Sequence, residues 1–172
     1  MMVAICRMQA FDLPRVLEIQ AAGYAPEFCE TKSLFAARLT AAPETAWIAK
    51  RGLQICGYLM AYRSRLGNAT SWNAPFQPVR DGACLYLHDL AICPTAAGQG
   101  IGPALIRHAW SWAGEQGLTH SALIAVQNSR PFWERQGYRD ENRLTVAEQQ
   151  KLASYQGPAV YLSQRLQTTL AG

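Results

Sequence analysis

Apolar residues cluster in short runs at Met2 to Met8, Ala46 to Lys50, Leu53 to Arg63, Ala83 to Ile92, Leu118 to Val126 and Ala159 to Leu166. Each run is bounded by turn formers and has the length of a strand. Between them the spacing becomes helical. Asp12 stands as an N-cap with Pro14 in the first turn, and Val16, Leu17, Ile19 and Gln20 carry a helix to about Gly23. Thr31 or Ser33 caps a second helix on which Leu34, Phe35, Arg38 and Leu39 recur, and Pro43 closes it. Ile101 to Gly114 forms a third. Ser129 to Gln136 is a short helix with Pro131 in its first turn and Gly137 behind it, and Thr145 to Tyr155 is the last. Arg51-Gly52 predicts a hairpin between the second and third strands. Leu66 to Gly82 shows no period, mixes turn formers with Trp72 and Phe76, and predicts a long loop. Its two aromatics either pin the loop to the core or touch a substrate.

Strands interleaved with helices, with hairpins at both ends, predict a mixed α/β sheet in one domain spanning residues 1–172. Composition narrows what such a domain does. With 49% apolar and 16% charged residues, the chain is neither disordered nor coiled-coil. At 172 residues it buries roughly two-thirds of the surface of its unfolded chain. Sixteen basic against twelve acidic residues give +4, a surplus that suits an anionic ligand but forms no nucleic-acid-binding stripe. Cys6, Cys29, Cys56, Cys84 and Cys93 are scattered, with no metal-ligand spacing, and read as small buried hydrophobes in a reducing compartment. Cys93 is the one that could alternatively be a catalytic thiol. The start MMVAICRMQAF has no leader pattern and no run reaches membrane-spanning length, so the cytoplasm is expected, without membrane or nucleic-acid partners.

The residues Gly98, Gln99, Gly100, Ile101 and Gly102 stand directly between a predicted strand and a predicted helix. Glycines let the backbone approach a ligand, and the free N–H groups and positive end of the helix favour phosphate. A plain tight turn is the simpler alternative. A P-loop would need Lys and Ser or Thr after the turn, where Pro103 and Ala104 stand. A dinucleotide fingerprint would need an acidic residue about twenty positions on, where Leu118 to Leu123 has none.

Leu90-Ala91-Ile92-Cys93-Pro94, the Gly98 to Gly102 turn and the stretch Phe132 to Tyr138 together resemble the GNAT superfamily of acyl-CoA-dependent N-acyltransferases. The resemblance is closest over residues 83 to 140. It implies a mainly antiparallel mixed sheet (α+β) flanked by helices, with a splayed central strand pair, and transfer of an acetyl group from acetyl-CoA to a small-molecule amine. It also leaves a homodimer open. Coenzyme contacts are implied for Leu90, Ala91, Ile92, Gly98, Gln99, Gly100, Ile101, Gly102, Pro103, Asn128 and Trp133. Two positions depart from the family pattern. Ala97 replaces the usual Gln or Arg, and Trp133 replaces the usual Tyr four residues before Gly137, which leaves the general acid unassigned. Tyr138 reads as a core aromatic rather than that acid.

An amine with a pKa near ~10 must lose a proton to attack, so a base is needed. The arylalkylamine branch of the superfamily carries His at the offsets of His88 and Tyr86, which implies these two as catalytic residues and ranks His88 first. Strict alternation puts Tyr86, His88, Leu90 and Ile92 on one face and Leu85, Leu87, Asp89 and Ala91 on the other, with Asp89 as a structural carboxylate. Arg107 and Arg130 lie near the expected coenzyme end. The alternative to an enzyme is a CoA-binding sensor or interaction module, motivated by Ala97 and Trp133; a different acyl-CoA is a further alternative.

Overall fold

The strands form where the apolar runs stand: β1 Val3–Arg7, β2 Ala46–Arg51, β3 Gln54–Ser64, β4 Cys84–Ile92, β5 His120–Ala125 and β7 Val160–Arg165. A two-residue β6, Arg139–Asp140, is too short to leave a pattern in the sequence. The computed structural model describes residues 2–167. Its helices are α1 Leu13–Gly23, α2 Lys32–Ala41, α3 Ile101–Glu115, α4 Arg130–Arg135 and α5 Val146–Ala153.

Thr31 caps α2 by accepting from Leu34 N at 3.3 Å, and Thr145 caps α5 by accepting from Glu148 N at 3.2 Å. Asp12 occupies the N-cap position of α1 as expected, with Pro14 in the first turn, but its side chain does not cap that helix. Its carboxylate accepts from Gln9 N at 2.8 Å and closes a 3-10 turn, Ala10–Asp12, that leads into α1. Ser129 begins α4 without a side-chain cap. Of the cysteines, Cys56 and Cys84 are buried as expected, but Cys6 is exposed on the edge strand β1.

Among the described residues, seven strands make one sheet in the order β1-β2-β3-β4-β5-β7-β6. Every neighbouring pair is antiparallel except β4 and β5, which are parallel. Val16, Ile19 and Phe35 pack α1 and α2 against one face, with Tyr58, Met60 and Tyr86. On the other face Leu105, Ile106 and Ala109 of α3 and Trp133 of α4 pack against Leu59, Leu85 and Leu87. Burial of Leu105 and Ile106, both at 0% exposure, contributes about 1.5–3 kcal/mol each.

Two irregularities shape the centre. The β4–β5 ladder runs only from Cys84↔His120 to Leu87↔Leu123, and past it the strands part. At the same level the β3–β4 register shifts: Met60 pairs with Asp89 and Ala61 with Leu87, so His88 is an extra residue on β4. This bulge corrects the strict alternation expected for the strand. Cys84, Tyr86 and Ala91 pack with the α1 and α2 core, whereas Leu85, Leu87, Leu90 and Ile92 pack with the α3 core. The extra residue switches the parity of all that follows, and Asp89 therefore lies on the same side as His88.

Candidate active site

The α3 helix begins on Gly100 at φ +76°, and Gly98 sits at φ +72°. L side chains rarely adopt that backbone, so glycine is what lets the chain double back from the 3-10 turn Pro94–Ala96 into the helix. A Cβ on either glycine would meet nothing within 4 Å, so the space before the turn is open. Among the described residues, the N–H groups from Gly98 to Gly102 have no backbone acceptor, and the first bond of the turn runs from Ala104 N to Gly100 O at 3.1 Å. These donors and the dipole of a 15-residue helix face one hollow of about 510 Å³. Leu90, Ile92, Phe132 and Arg135 also line it. Arg135 is exposed there, whereas Arg130 is held by Glu134 at 2.7 Å and Asp140 at 2.8 Å.

Where β4 and β5 part, a cleft of about 280 Å³ opens between Leu87 to Ile92, Ile124, Tyr24 and Trp133. Leu90, Ile92 and Phe132 line both this cleft and the glycine hollow, so the two are continuous along the end of β4. At the other end of the cleft stands His88. Its Nε2 lies 3.2 Å from Glu30 Oε1, and both side chains are 4% exposed. Glu30 in turn receives two bonds of 2.6 Å from the guanidinium of Arg38, itself at 0% exposure. Gln20 on α1 fixes the backbone of Glu30 from both sides, donating to its carbonyl at 3.0 Å and accepting from its N–H at 2.9 Å.

Burial alone would raise the Glu30 carboxyl, but the hydrogen bonds from His88 and Arg38 outweigh it and hold the pKa at about 2. Glu30 is therefore ionised at neutral pH and can only accept. Its partner Nε2 must carry the proton, which places the lone pair of neutral His88 on Nδ1. That atom is buried and has no hydrogen-bond partner among the described residues. Next to it Asp89 accepts from Tyr24 at 2.8 Å and Tyr58 at 2.7 Å, and burial pushes its carboxyl above the ordinary range. Two adjacent carboxyls driven in opposite directions are a mark of acid–base sites.

A smaller cavity of about 40 Å³ continues from the cleft past His88 and Asp89, walled by Phe28, Trp72 and Tyr155. The long loop is moored here: Trp72 N donates to Ser154 Oγ at 2.8 Å and the Tyr155 hydroxyl donates to Thr70 O at 2.8 Å. Arg38 adds a bond of 2.7 Å to Ala74 O.

The model of the acetyltransferase (GNAT) family matches residues 13–138, from α1 through α4 and over both the glycine turn and the cleft. The chain belongs to this family. Solved GNAT-fold structures superpose over nearly its whole length. The loading GNATL domain of CurA from Lyngbya majuscula gives a TM-score of 0.79 at 15% identity, covering 96% of this chain and 98% of that one. The GphF GNAT-like decarboxylase in complex with isobutyryl-CoA gives 0.76 at 15% identity, covering 95% and 100%. The ribosomal-protein-S18-alanine N-acetyltransferase of Escherichia coli gives 0.67 at 18% identity, covering 99% and 97%. At such identities these likenesses concern the fold. No curated protein matches the chain.

The GNAT fold brings together most of the residues singled out in the sequence. Leu90, Ile92, Gly98, Gly100, Ile101, Gly102 and Pro103 line the glycine hollow, while Leu90, Ala91, Ile92, His88 and Trp133 line the cleft. Gln99 turns its side chain back to Thr95 O at 3.1 Å. Asn128 is exposed at φ +59° and lines neither space; its neighbours Gln127 and Ser129 line the cleft instead. Tyr86 is 1% exposed, packs at a tilt with its ring centroid 5.2 Å from that of Tyr62, and lines neither cavity at His88. Tyr138 is a core residue bonded to Trp110 and Ser121. Cys93 lies within 3.7 Å of an Arg15 nitrogen, outside the cleft lining. Of the loop aromatics, Phe76 packs in the core at 4.6 Å from Tyr62, and Trp72 faces the small cavity.

Sequence reasoning passed over Tyr24, Glu30, Arg135 and Tyr155 and gave Asp89 a purely structural part. Tyr24, Glu30 and Tyr155 carry no motif. Only Arg135, inside the matched stretch from Phe132 to Tyr138, had a signal that could have found it.

Proposed function

We propose that this GNAT domain transfers an acetyl group from acetyl-CoA to the amine of a small molecule, with His88 as general base. The observation that carries the reading is His88, bonded through Nε2 to the ionised Glu30 and lining the far end of a cleft continuous with an anion cradle. The cradle suits coenzyme A. N–H groups from Gly98 to Gly102 would hold its pyrophosphate, Arg135 would neutralise a phosphate, and the diverging edge of β4 would line its arm. Relatives in fold include proteins solved with coenzyme A or isobutyryl-CoA, which supports the same ligand class here.

Acetyl-CoA would supply an activated acyl group. The residues of the chain would then deal with the amine. Nδ1 takes the amine proton while Nε2 stays bonded to Glu30, and the ionised carboxylate stabilises the imidazolium that results. The new C–N bond forms as the C–S bond breaks, and the thiolate, with an intrinsic pKa near ~8.5, can leave without a dedicated acid. Holding amine and thioester at one end of the cleft removes much of the entropic barrier.

Release of free thiol in the presence of acetyl-CoA and primary amines tests this. His88→Ala is expected to lower the amine-dependent rate at neutral pH by about 100-fold or more while leaving coenzyme A affinity unchanged. An unchanged rate and pH profile would remove His88 as the base. Tight coenzyme binding without turnover of any amine would instead favour the binding-module reading that Ala97 motivates. Mass measurement of a copurified ligand would identify the acyl group.

A further inference from the structure

Asp89 is a buried carboxyl to which the proposed reaction gives no part. Among the described residues it is bonded by tyrosine hydroxyls and by no cation: Oδ2 lies 2.7 Å from the hydroxyl of Tyr58 on β3, and Oδ1 lies 2.8 Å from the hydroxyl of Tyr24. The Tyr24 oxygen is also 3.0 Å from the carbonyl of Leu90. These are three oxygen–oxygen contacts of hydrogen-bond length, and each needs a hydrogen. The two phenols bring two. With Asp89 ionised, the single proton of Tyr24 faces two acceptors and one contact goes without. With Asp89 protonated, all three are served: Asp89 donates to the Tyr24 oxygen, Tyr24 donates to the Leu90 carbonyl, and Tyr58 donates to Oδ2.

We infer that Asp89 holds a proton in the resting protein and, through the hydroxyl of Tyr24, delivers it to the coenzyme A thiolate as the acyl group departs. The inference rests on the acetyl-transfer reading for the thiolate, and on the hydrogen count for the proton. Tyr24, Asp89 and Leu90 all line the cleft, at the diverging edge of β4 where the arm of the coenzyme would lie. The Tyr24 O–H bond breaks as the S–H bond forms, and the Asp89 proton moves to the Tyr24 oxygen in the same step. A phenol alone, with an ordinary pKa near ~10, is a weaker acid than a thiol near ~8.5, so the carboxyl behind it drives the transfer. Tyr24 is thus the donor, and Asp89 acts through it. Charge favours the same assignment. Arg38 and Glu30 cancel, so with neutral His88 and protonated Asp89 the buried cluster carries no net charge. After transfer His88 holds the amine proton, Asp89 is ionised beside it, and the sum is again zero. Return of the proton from His88 to Asp89 through the cleft resets the pair. Burial pushes the Asp89 carboxyl up and the ionised Glu30 adds to this, against a charged His88 and the two hydroxyls. Cys29 and Tyr155 also face Asp89, and thiol and phenol are neutral at pH 7.

Infrared spectroscopy of the coenzyme-free protein at neutral pH reads the proton directly, because a protonated carboxyl has a C=O stretch well apart from the bands of ionised carboxylates. The difference between the natural protein and Asp89→Asn should contain that band, and Tyr24→Phe should shift it. The shift alone assigns the band if Asp89→Asn does not fold. Absence of the band would overturn the inference and leave acetyl transfer standing. Delivery is tested with acetyl-CoA and the primary amine turned over fastest. Tyr24→Phe should lower the single-turnover rate by about 100-fold and leave coenzyme A affinity unchanged. In the natural protein that rate should fall as the pH rises and Asp89 loses its proton, whereas Asp89→Asn should be slow throughout and lack the fall. An unchanged rate in Tyr24→Phe, or an alkaline fall that survives in Asp89→Asn, would overturn the donor role. The band without turnover of any amine would remove that role together with the transferase.

Discussion

Glu30 stands at the centre of a buried chain of charge, from Arg38 through its own carboxylate to the His88 ring. Because Arg38 and Glu30 are at 0% and 4% side-chain exposure, removing either leaves the other charge buried and unpaired. Glu30→Gln and Arg38→Met should each cost about 3–5 kcal/mol in chemical denaturation, and the double variant far less than the sum, because both break the same network. The pH dependence has a definite sign. The Glu30 pKa falls on folding from 4.5 to about 2, so its contribution is complete above 4.5 and is lost as the pH drops towards 2. Denaturation at a series of acidic pH values should show that loss in the natural protein and a flatter curve in Glu30→Gln. In the sequence Glu30 is one acidic residue before a helix cap, with nothing to distinguish it from a solvated one. The family offset singled out His88 in the sequence, but its hydrogen-bond partner lies 58 residues away and could not be read there.

At the scale of elements, β4 carries the site because it breaks the rule of its own pattern. A strand of period two cannot present both His88 and Asp89 to one cavity, and the bulge opposite Met60 and Ala61 is what allows it. A ten-residue apolar run reads as a regular strand because a bulge depends on the register with β3. The junction of β3, β4 and α3 is equally tight. A Cβ on Gly57 would stand 2.7 Å from Ile92 Cδ1, 3.1 Å from Ala91 O and 3.2 Å from Ile101 Cγ2. Gly57→Ala should therefore cost about 1–3 kcal/mol and weaken coenzyme A binding, since Ile92 and Ile101 both line the glycine hollow. Gly114 in α3 has nothing within 4 Å of its Cβ, and Gly114→Ala should raise stability by up to about 1 kcal/mol. Thermal denaturation and a coenzyme A titration on both variants would check the contrast.

Across the whole molecule, the candidate site draws on α1, the turn after it, the long loop, β4, β5, α4 and the end of α5. The parallel pair β4 and β5 is the seam, and past Leu87 and Leu123 it opens into the cleft that runs from the glycine hollow to the buried His88. The surplus of +4 gains a location in the exposed Arg135 beside the cradle. Coenzyme A affinity should fall as salt is raised, and Arg135→Ala should weaken binding at low salt by several-fold while making it less sensitive to salt. Isothermal titration at two ionic strengths would measure both. The sequence by itself determined the order of the main strands and helices, the loop, and the glycine turn, because periodicity, caps and turn residues act between near neighbours in the chain. Tertiary structure alone decided the side to which Asp89 points, the ionisation of Glu30, the exposure of Cys6 and the meeting of Phe28, Trp72 and Tyr155. Each of these depends on register, burial or contact between distant segments, and such terms exist only once the sheet has assembled.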